Sequence, residues 1–208
     1  MKNKIVVIMV LLAVAAFALN VGVWYWWFSV RPNLTRYQVT PRESSWGGLF
    51  TPALAAKFTQ LARHGNSSCS AGFQQAVKVG STGGERLLGS CCSPMDIHRY
   101  REQVEGLKQY SNISEIPPDP YDIDANLAQT MMGYYDMQLT PEEQKAYDYA
   151  MVNSNEKGPC CCKCWRWYVY GGLGKLLIQK YHFTGEQVTE IWNLSDGCGG
   201  PGDHVNHS

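Results

Sequence analysis

The sequence has no excess of either charge: 18 Lys+Arg meet 18 Asp+Glu, and the formal net charge is zero. No basic run occurs and no basic residues are interleaved with aromatics, so nucleic acid, which is bound by neutralising phosphates, is not an expected partner. No segment is of low complexity and no unit recurs at a fixed period. The common catalytic signatures are missing too. Without a G-x-S-x-G elbow, a phosphate loop or an H-E-x-x-H helix, the chain shows no recognisable nucleophile–base set, and the balance leans away from an enzyme. C-x-x-C-H is absent, which excludes covalent c-type haem. No alternating apolar–polar run is long enough to specify a convincing sheet.

What is present begins with an apolar N-terminus. Ile5 to Val30 is broken only by Asn20 and Ser29. As a helix at ~1.5 Å per residue, those 26 positions reach roughly 39 Å, enough to cross a hydrocarbon core of ~30 Å with some tilt. Lys2 and Lys4 precede the run, and Trp24, Tyr25, Trp26, Trp27 and Phe28 close it, as an interfacial aromatic belt would. The competing reading is a cleaved signal peptide, with Ile5 to Ala18 as its apolar region and Ala16-Phe17-Ala18 as the cleavage site. A signal peptide leaves the second apolar stretch and the belt unexplained. The reading is therefore a single transmembrane helix within residues 1–30, a stalk over 31–50 and one domain over 51–208, with the lipid bilayer as a partner.

Flanking charge leaves the sidedness nearly tied, because Arg31, Arg36 and Arg42 follow the span. Two features favour an extracytoplasmic domain. All eight cysteines (Cys69, Cys91, Cys92, Cys160, Cys161, Cys162, Cys164, Cys198) lie beyond the span, an even count that suggests disulfides. Five N-x-S/T sequons, at Asn33, Asn66, Asn112, Asn193 and Asn206, exceed the roughly one expected by chance and suggest a glycoprotein.

Within the domain the punctuation is helical. Thr51-Pro52, Ser93-Pro94 and Thr140-Pro141 each place a capping hydroxyl before a Pro, whose missing N–H costs nothing at the first helical position. Thr140 with Glu143 and Thr184 with Gln187 form capping boxes, and Phe183 with Val188 a hydrophobic staple. Gly65 stands where a closing glycine would. The spacing predicts helices near 52–63, 71–78, 94–109, 124–137, 141–153, 160–180 and 185–193, a mainly α fold. Asp119, Asp122 and Asp124, set among prolines, read as a turn and helix cap more than a calcium loop.

Two clusters carry the chemistry. In Cys91-Cys92-Ser-Pro-Met95-Asp-Ile-His98, a helix starting at Pro94 would put both thiols at its N-terminus, where unpaired N–H groups and the dipole favour thiolate. Met95 and His98 would then share a face, and thiolate, thioether and imidazole make a soft ligand set suited to copper. Met95 as ordinary core and His98 as a surface residue is the plainer account. The second cluster, Cys160-Cys161-Cys162-Lys163-Cys164, would place Cys160 and Cys164 one turn apart on a helix. Neighbouring cysteines pair poorly with each other, so outward pairing to Cys69, Cys91, Cys92 and Cys198 is one expectation. Free thiols that hold a thiophilic ion or exchange disulfides are the other. Cys160-x₃-Cys164 has the cysteine spacing of a binuclear copper loop, but Tyr168 stands where that loop needs His. His204 and His207 in the Gly-rich tail offer further ligands.

These features support a membrane-anchored domain whose Cys91, Cys92, Met95, His98, Cys160, Cys161, Cys162, Cys164 and Cys198 bind copper, with zinc second, or take part in thiol redox. The alternative is a disulfide-stapled structural or interaction subunit that meets other membrane or cell-surface proteins and has no chemistry of its own.

Overall fold

The structure is a computed structural model and describes residues 51–199. The expected anchor, the stalk and the tail histidines His204 and His207 lie outside the described residues, as do the sequons at Asn33 and Asn206. Among the described residues no helix is long and apolar enough to cross a membrane.

The elements run α1 (Pro52–His64), α2 (Ala71–Lys78), β1 (Arg86–Leu88), α3 (Ile97–Leu107), β2 (Asp122–Asp124), α4 (Ala125–Gly133), α5 (Pro141–Asn153), α6 (Trp165–Tyr181) and α7 (Gly185–Ser195). Short 3₁₀ turns extend α3 over Lys108–Tyr110 and α4 over Tyr134–Asp136. The mainly helical expectation holds, and most helix ends fall where the caps put them. Thr51 Oγ1 accepts from the Leu54 N–H at 3.2 Å. The two capping boxes close in both directions: Thr140 Oγ1 accepts from the Glu143 N–H and Thr184 Oγ1 from the Gln187 N–H. The two residues of the staple, Phe183 and Val188, are both buried.

Helix α6 is the hub. Eleven of its seventeen residues are buried, so it is apolar nearly all round, as a core helix must be. It packs on α4 and on the pair α5 and α7. Glycine is a poor helix former, yet Gly171, Gly172 and Gly174 sit in mid-helix because neighbours come too close for a side chain. A Cβ on Gly172 would collide with the Met131 carbonyl oxygen, and one on Gly174 would lie 2.9 Å from the Trp192 ring. Trp192 is fully buried, donates from Nε1 to the Tyr170 carbonyl at 2.9 Å and meets Tyr147 edge-on. A second apolar centre joins α1 to α3: Leu61, Tyr100 and Tyr121, with Phe58, Met95 and Val104 packed against them.

Four local expectations are corrected. Helix α3 starts at Ile97 and not at Pro94, because Asp96 outcompetes Ser93 as the cap: its carboxylate accepts from both the His98 and Arg99 N–H groups. Helix α6 starts at Trp165, so Cys160 to Cys164 form a loop that ends in an N-cap, Cys164. A small sheet does exist. β1 and β2 pair antiparallel, Leu87 opposite Ile123, and Lys57 and Arg86 both bind the Asp122 carboxylate. Gly65 ends α1 in an extended conformation, φ −63°, and not as a left-handed cap.

Asp124 caps α4, and Asp119 accepts from the Tyr121 N–H and the Tyr100 hydroxyl, so these carboxylates serve the fold as a turn and a cap. Of the sequon asparagines, Asn66 spends its amide on the Leu88 N–H and the Arg86 carbonyl. Asn193 Oδ1 accepts from the Asn155 N–H, while Asn112 is exposed.

Candidate metal centre

Four separate stretches deliver the eight cysteines to one place. Cys69 immediately precedes Ser70, the cap of α2. Cys91 and Cys92 lie between β1 and α3, Cys160 to Cys164 between α5 and α6, and Cys198 beyond α7. The backbone ties these loops together. The Cys198 carbonyl accepts from the Cys92 and Ser93 N–H groups at 3.3 and 2.8 Å. Gly199 adopts φ +83° and leaves no space for a Cβ against the Ser93 carbonyl. On the other loop, Gly158 has φ +152° and packs under the Trp167 ring, while Ser154 Oγ bonds to both its N–H and its carbonyl.

All eight cysteines are free thiols, with no pair at the ~2.05 Å of a disulfide. The expected disulfides are therefore not formed here. The thiols are in contact all the same. Cys69 lies 3.0 Å from Cys92 and 3.5 Å from Cys162, and Cys92 is 3.8 Å from both Cys91 and Cys162. Cys198 lies 3.0 Å from Cys160 and 2.9 Å from Cys161. A tetrahedral ion with metal–sulfur bonds of about 2.3 Å holds its ligands about 3.8 Å apart, close to three of these spacings. Four sulfurs, those of Cys92, Cys161, Cys162 and Cys198, all lie within 4.8 Å of one another. The triads Cys69, Cys162, Cys164 and Cys69, Cys91, Cys92 do as well, and so do Cys160 and Cys198 with Asp196. These cysteine groups could hold a metal ion.

The electrostatics are set from below by Arg166, which is 0% exposed. Its guanidinium donates to the Pro120 and Gly89 carbonyls at 2.5 and 2.9 Å and stacks 4.5 Å from the Trp165 ring centre. Among the described residues no carboxylate pairs with it, although a buried charge without a counter-ion is costly. Burial disfavours its charge, yet the guanidinium stays protonated, with the Tyr170 hydroxyl and the sulfurs of Cys91, Cys160 and Cys198 as its ionisable neighbours.

The thiols differ sharply. Cys164 is held below the ordinary thiol range, chiefly by its neighbours Cys160 and Cys91. The thiols expected at a helix N-terminus, Cys91 and Cys92, are not favoured as thiolates: the helix starts later, at Ile97, and both are raised. The partners of Cys164 are pushed the other way. Cys91 rises to about 12 chiefly through its bond to Cys164, and Cys160 rises for the same reason. Cys198 is raised by its bonds to Cys160 and Cys91, and burial raises Cys69, Cys92 and Cys161.

Of the residues singled out from sequence, the structure brings the seven cysteines together and leaves the other two apart. Met95 packs against the Leu61, Tyr100 and Tyr121 centre, and His98, exposed on the first turn of α3, falls in no ligand group with the thiols. With Asp96 as the cap, Met95 lies before the helix, so the helical face it was to share with His98 does not form. Sequence reasoning missed Cys69 as a ligand, which its even-numbered company of thiols could have flagged. It also missed Arg166, whose flanking tryptophans were the one hint of burial. The sequence was also expected to hold no C-x-x-C, which is wrong: Cys161 and Cys164 have that spacing.

Compared with protein-family models, curated proteins and solved structures, the chain matches none.

Proposed function

We propose that this domain is a thiolate metal-binding module, with copper(I) as the favoured ion and zinc second, carried at a membrane on the extracytoplasmic side by the apolar N-terminus. One observation carries the metal reading. Single sulfurs have several sulfur neighbours: Cys198 is close to both Cys160 and Cys161, and Cys92 to Cys69, Cys91 and Cys162. A disulfide uses one partner per sulfur, whereas a metal–thiolate cluster shares them. Soft ligands with no imidazole among them favour copper(I), and a buried cation suits the negative charge that such a cluster carries. The membrane and sidedness parts rest on residues 5–30 and on eight cysteines lying beyond them.

The three closest sulfur contacts, 2.9 to 3.0 Å, favour a second reading. Oxidation at Cys69–Cys92 and at Cys198 with Cys160 or Cys161 would staple the loops and leave an interaction subunit without chemistry. One experiment separates the two: metal analysis of the native protein, with a count of free thiols under denaturing, non-reducing conditions. Near-stoichiometric metal, lost when the cysteines from Cys160 to Cys164 are replaced by Ser, supports the first. Eight blocked cysteines and no metal would sink it.

A further inference from the structure

Three sulfurs from three different loops make a triangle. Cys69 precedes α2, Cys92 lies between β1 and α3, and Cys162 between α5 and α6. The edges measure 3.0 Å (Cys69–Cys92), 3.5 Å (Cys69–Cys162) and 3.8 Å (Cys92–Cys162). Each edge has a further sulfur of its own. Cys91 lies within 4.8 Å of both Cys69 and Cys92, and Cys164 within 4.8 Å of both Cys69 and Cys162. The third edge has two such neighbours: Cys161 and Cys198 each lie within 4.8 Å of Cys92 and Cys162.

An ion that spans two sulfurs at metal–sulfur bonds of ~2.3 Å holds them about 3.8 Å apart. The Cys92–Cys162 edge already has that spacing, and the other two fall short of it by less than about 1 Å. A single ion at the centre of the triangle would use Cys69, Cys92 and Cys162 alone. It would leave unexplained why every edge faces a separate sulfur. One ion on each edge accounts for that pairing.

Resting on the metal reading above, we propose that the thiols hold three copper(I) ions in one ring, in which Cys69, Cys92 and Cys162 each bridge two ions. Ions and bridging sulfurs alternate around the ring. Each ion completes its shell with the sulfur outside its edge: Cys91 on the first, Cys164 on the second, Cys161 and Cys198 on the third. Two of the three positions thus offer three sulfurs. Copper(I) accepts that number, whereas a structural zinc site takes four ligands. Each thiol that binds gives its proton to solvent, and the ions keep their oxidation state. Cys160 stands outside the ring, grouped with Cys198 and the Asp196 carboxylate. Because the bridges come from three loops, the ring closes only when all three are in place, so the ions enter together.

The test titrates the fully reduced, full-length protein anaerobically with copper(I). Native mass spectrometry counts the ions, and X-ray absorption looks for a copper–copper distance in the loaded sample. Three ions are expected, with one- and two-ion species sparse and a copper–copper distance present. Cys69→Ser, Cys92→Ser and Cys162→Ser should each lose the two ions that the missing bridge served. Cys164→Ser, which removes an outer ligand, should lose one at most, and Cys160→Ser should keep all three. A folded Cys160→Ser protein with any other count overturns the ring. So does a wild type that binds fewer than three ions, or three with no copper–copper distance, while the metal reading stands; this result decides even if a variant fails to fold. A wild type that takes up no copper overturns both.

Discussion

Gly197 leaves no room for a side chain beside Arg166: a Cβ there would fall inside contact distance of the guanidinium nitrogen Nη1. The guanidinium is the far end of a long side chain, but it cannot swing away, because both its terminal nitrogens are committed to the Gly89 and Pro120 carbonyls. Gly197→Ala must therefore push the segment bearing Cys198 away from Arg166. The expected cost is about 1–3 kcal/mol of stability, read from a denaturant midpoint, together with loss of bound metal. A variant that keeps full metal content would show that the seat of Cys198 does not depend on this contact.

Arg166 itself supplies both hydrogen bonds and charge, and two substitutions separate them. Arg166→Met leaves two buried carbonyls without donors, at about 1–3 kcal/mol each, and removes the cation. Arg166→Lys loses the fork geometry but keeps a charge. If the cation's role is to balance thiolate charge, the Lys variant should retain clearly more copper than the Met variant at matched folded fraction. Equal loss in both would assign Arg166 to architecture alone.

Much of the fold could be read from the chain because its helix boundaries are written in local chemistry. Thr51, Thr140 and Thr184 each need only a hydroxyl and the next turn of backbone to act. The reading failed where distant partners decide. The Ser93 carbonyl, which a cap would offer to the first turn, takes the Ser90 hydroxyl, and the Ser93 N–H is tied to the distant Cys198 carbonyl, so the helix starts after Asp96. The run from Cys160 to Cys164 is held out of helix by the glycine turn at Gly158 and by sulfur neighbours from three other stretches. The three-residue strands are too short to show an alternation. That the cysteines matter was legible; that Cys69 belongs with them, and that a guanidinium without a carboxylate partner lies beneath, was not, since flanking tryptophans hint at burial but do not name what an Arg faces.

The packing of α6 on α4 makes a sharper stability prediction. Gly172 faces the Met131 carbonyl, a backbone atom that no rotamer change can move. Gly172→Ala gains helix propensity and would stabilise an isolated helix. Here the two helices must separate, and the expected net loss is about 3 kcal/mol, measured by urea unfolding. Gly133, with open space around it, is the control: Gly133→Ala should be neutral or stabilising.

Acid should weaken one identifiable tie between the α3–β2 connection and the end of α6. The Glu115 carboxylate accepts from Lys180 Nζ at 2.5 Å, from the Tyr181 hydroxyl at 2.8 Å and from Ser114 Oγ at 3.0 Å. Burial would raise its pKa, but the three donors outweigh it and hold it down to about 2. A carboxyl depressed on folding contributes stability that is full above its unfolded value, ~4.3, and is lost as pH falls through the folded one. Glu115→Gln should therefore lower Tm at neutral pH, with the gap to wild type narrowing on acidification and closing near the folded pKa. A gap that stays constant across that window would show that charge plays no part.

The membership of the site can be settled by comparing three single substitutions in the full-length protein. Cys69 has sulfur neighbours at 3.0 and 3.5 Å and enters two of the three-thiol groups. Met95 instead packs on Leu61, Tyr100 and Tyr121, and His98 stands exposed. Cys69→Ser removes a soft donor while changing volume little, so bound copper should fall and the fold should persist. Met95→Leu conserves core volume and His98→Ala removes an exposed ring, so both should keep the wild-type copper content, measured by metal analysis after gel filtration. The ordering matters more than any single value, because the three residues lie within thirty positions of one another and only their surroundings differ. Copper that follows Met95 or His98 and ignores Cys69 would mean that the ion sits toward α3, as the local sequence alone suggests, and not among the converging thiols.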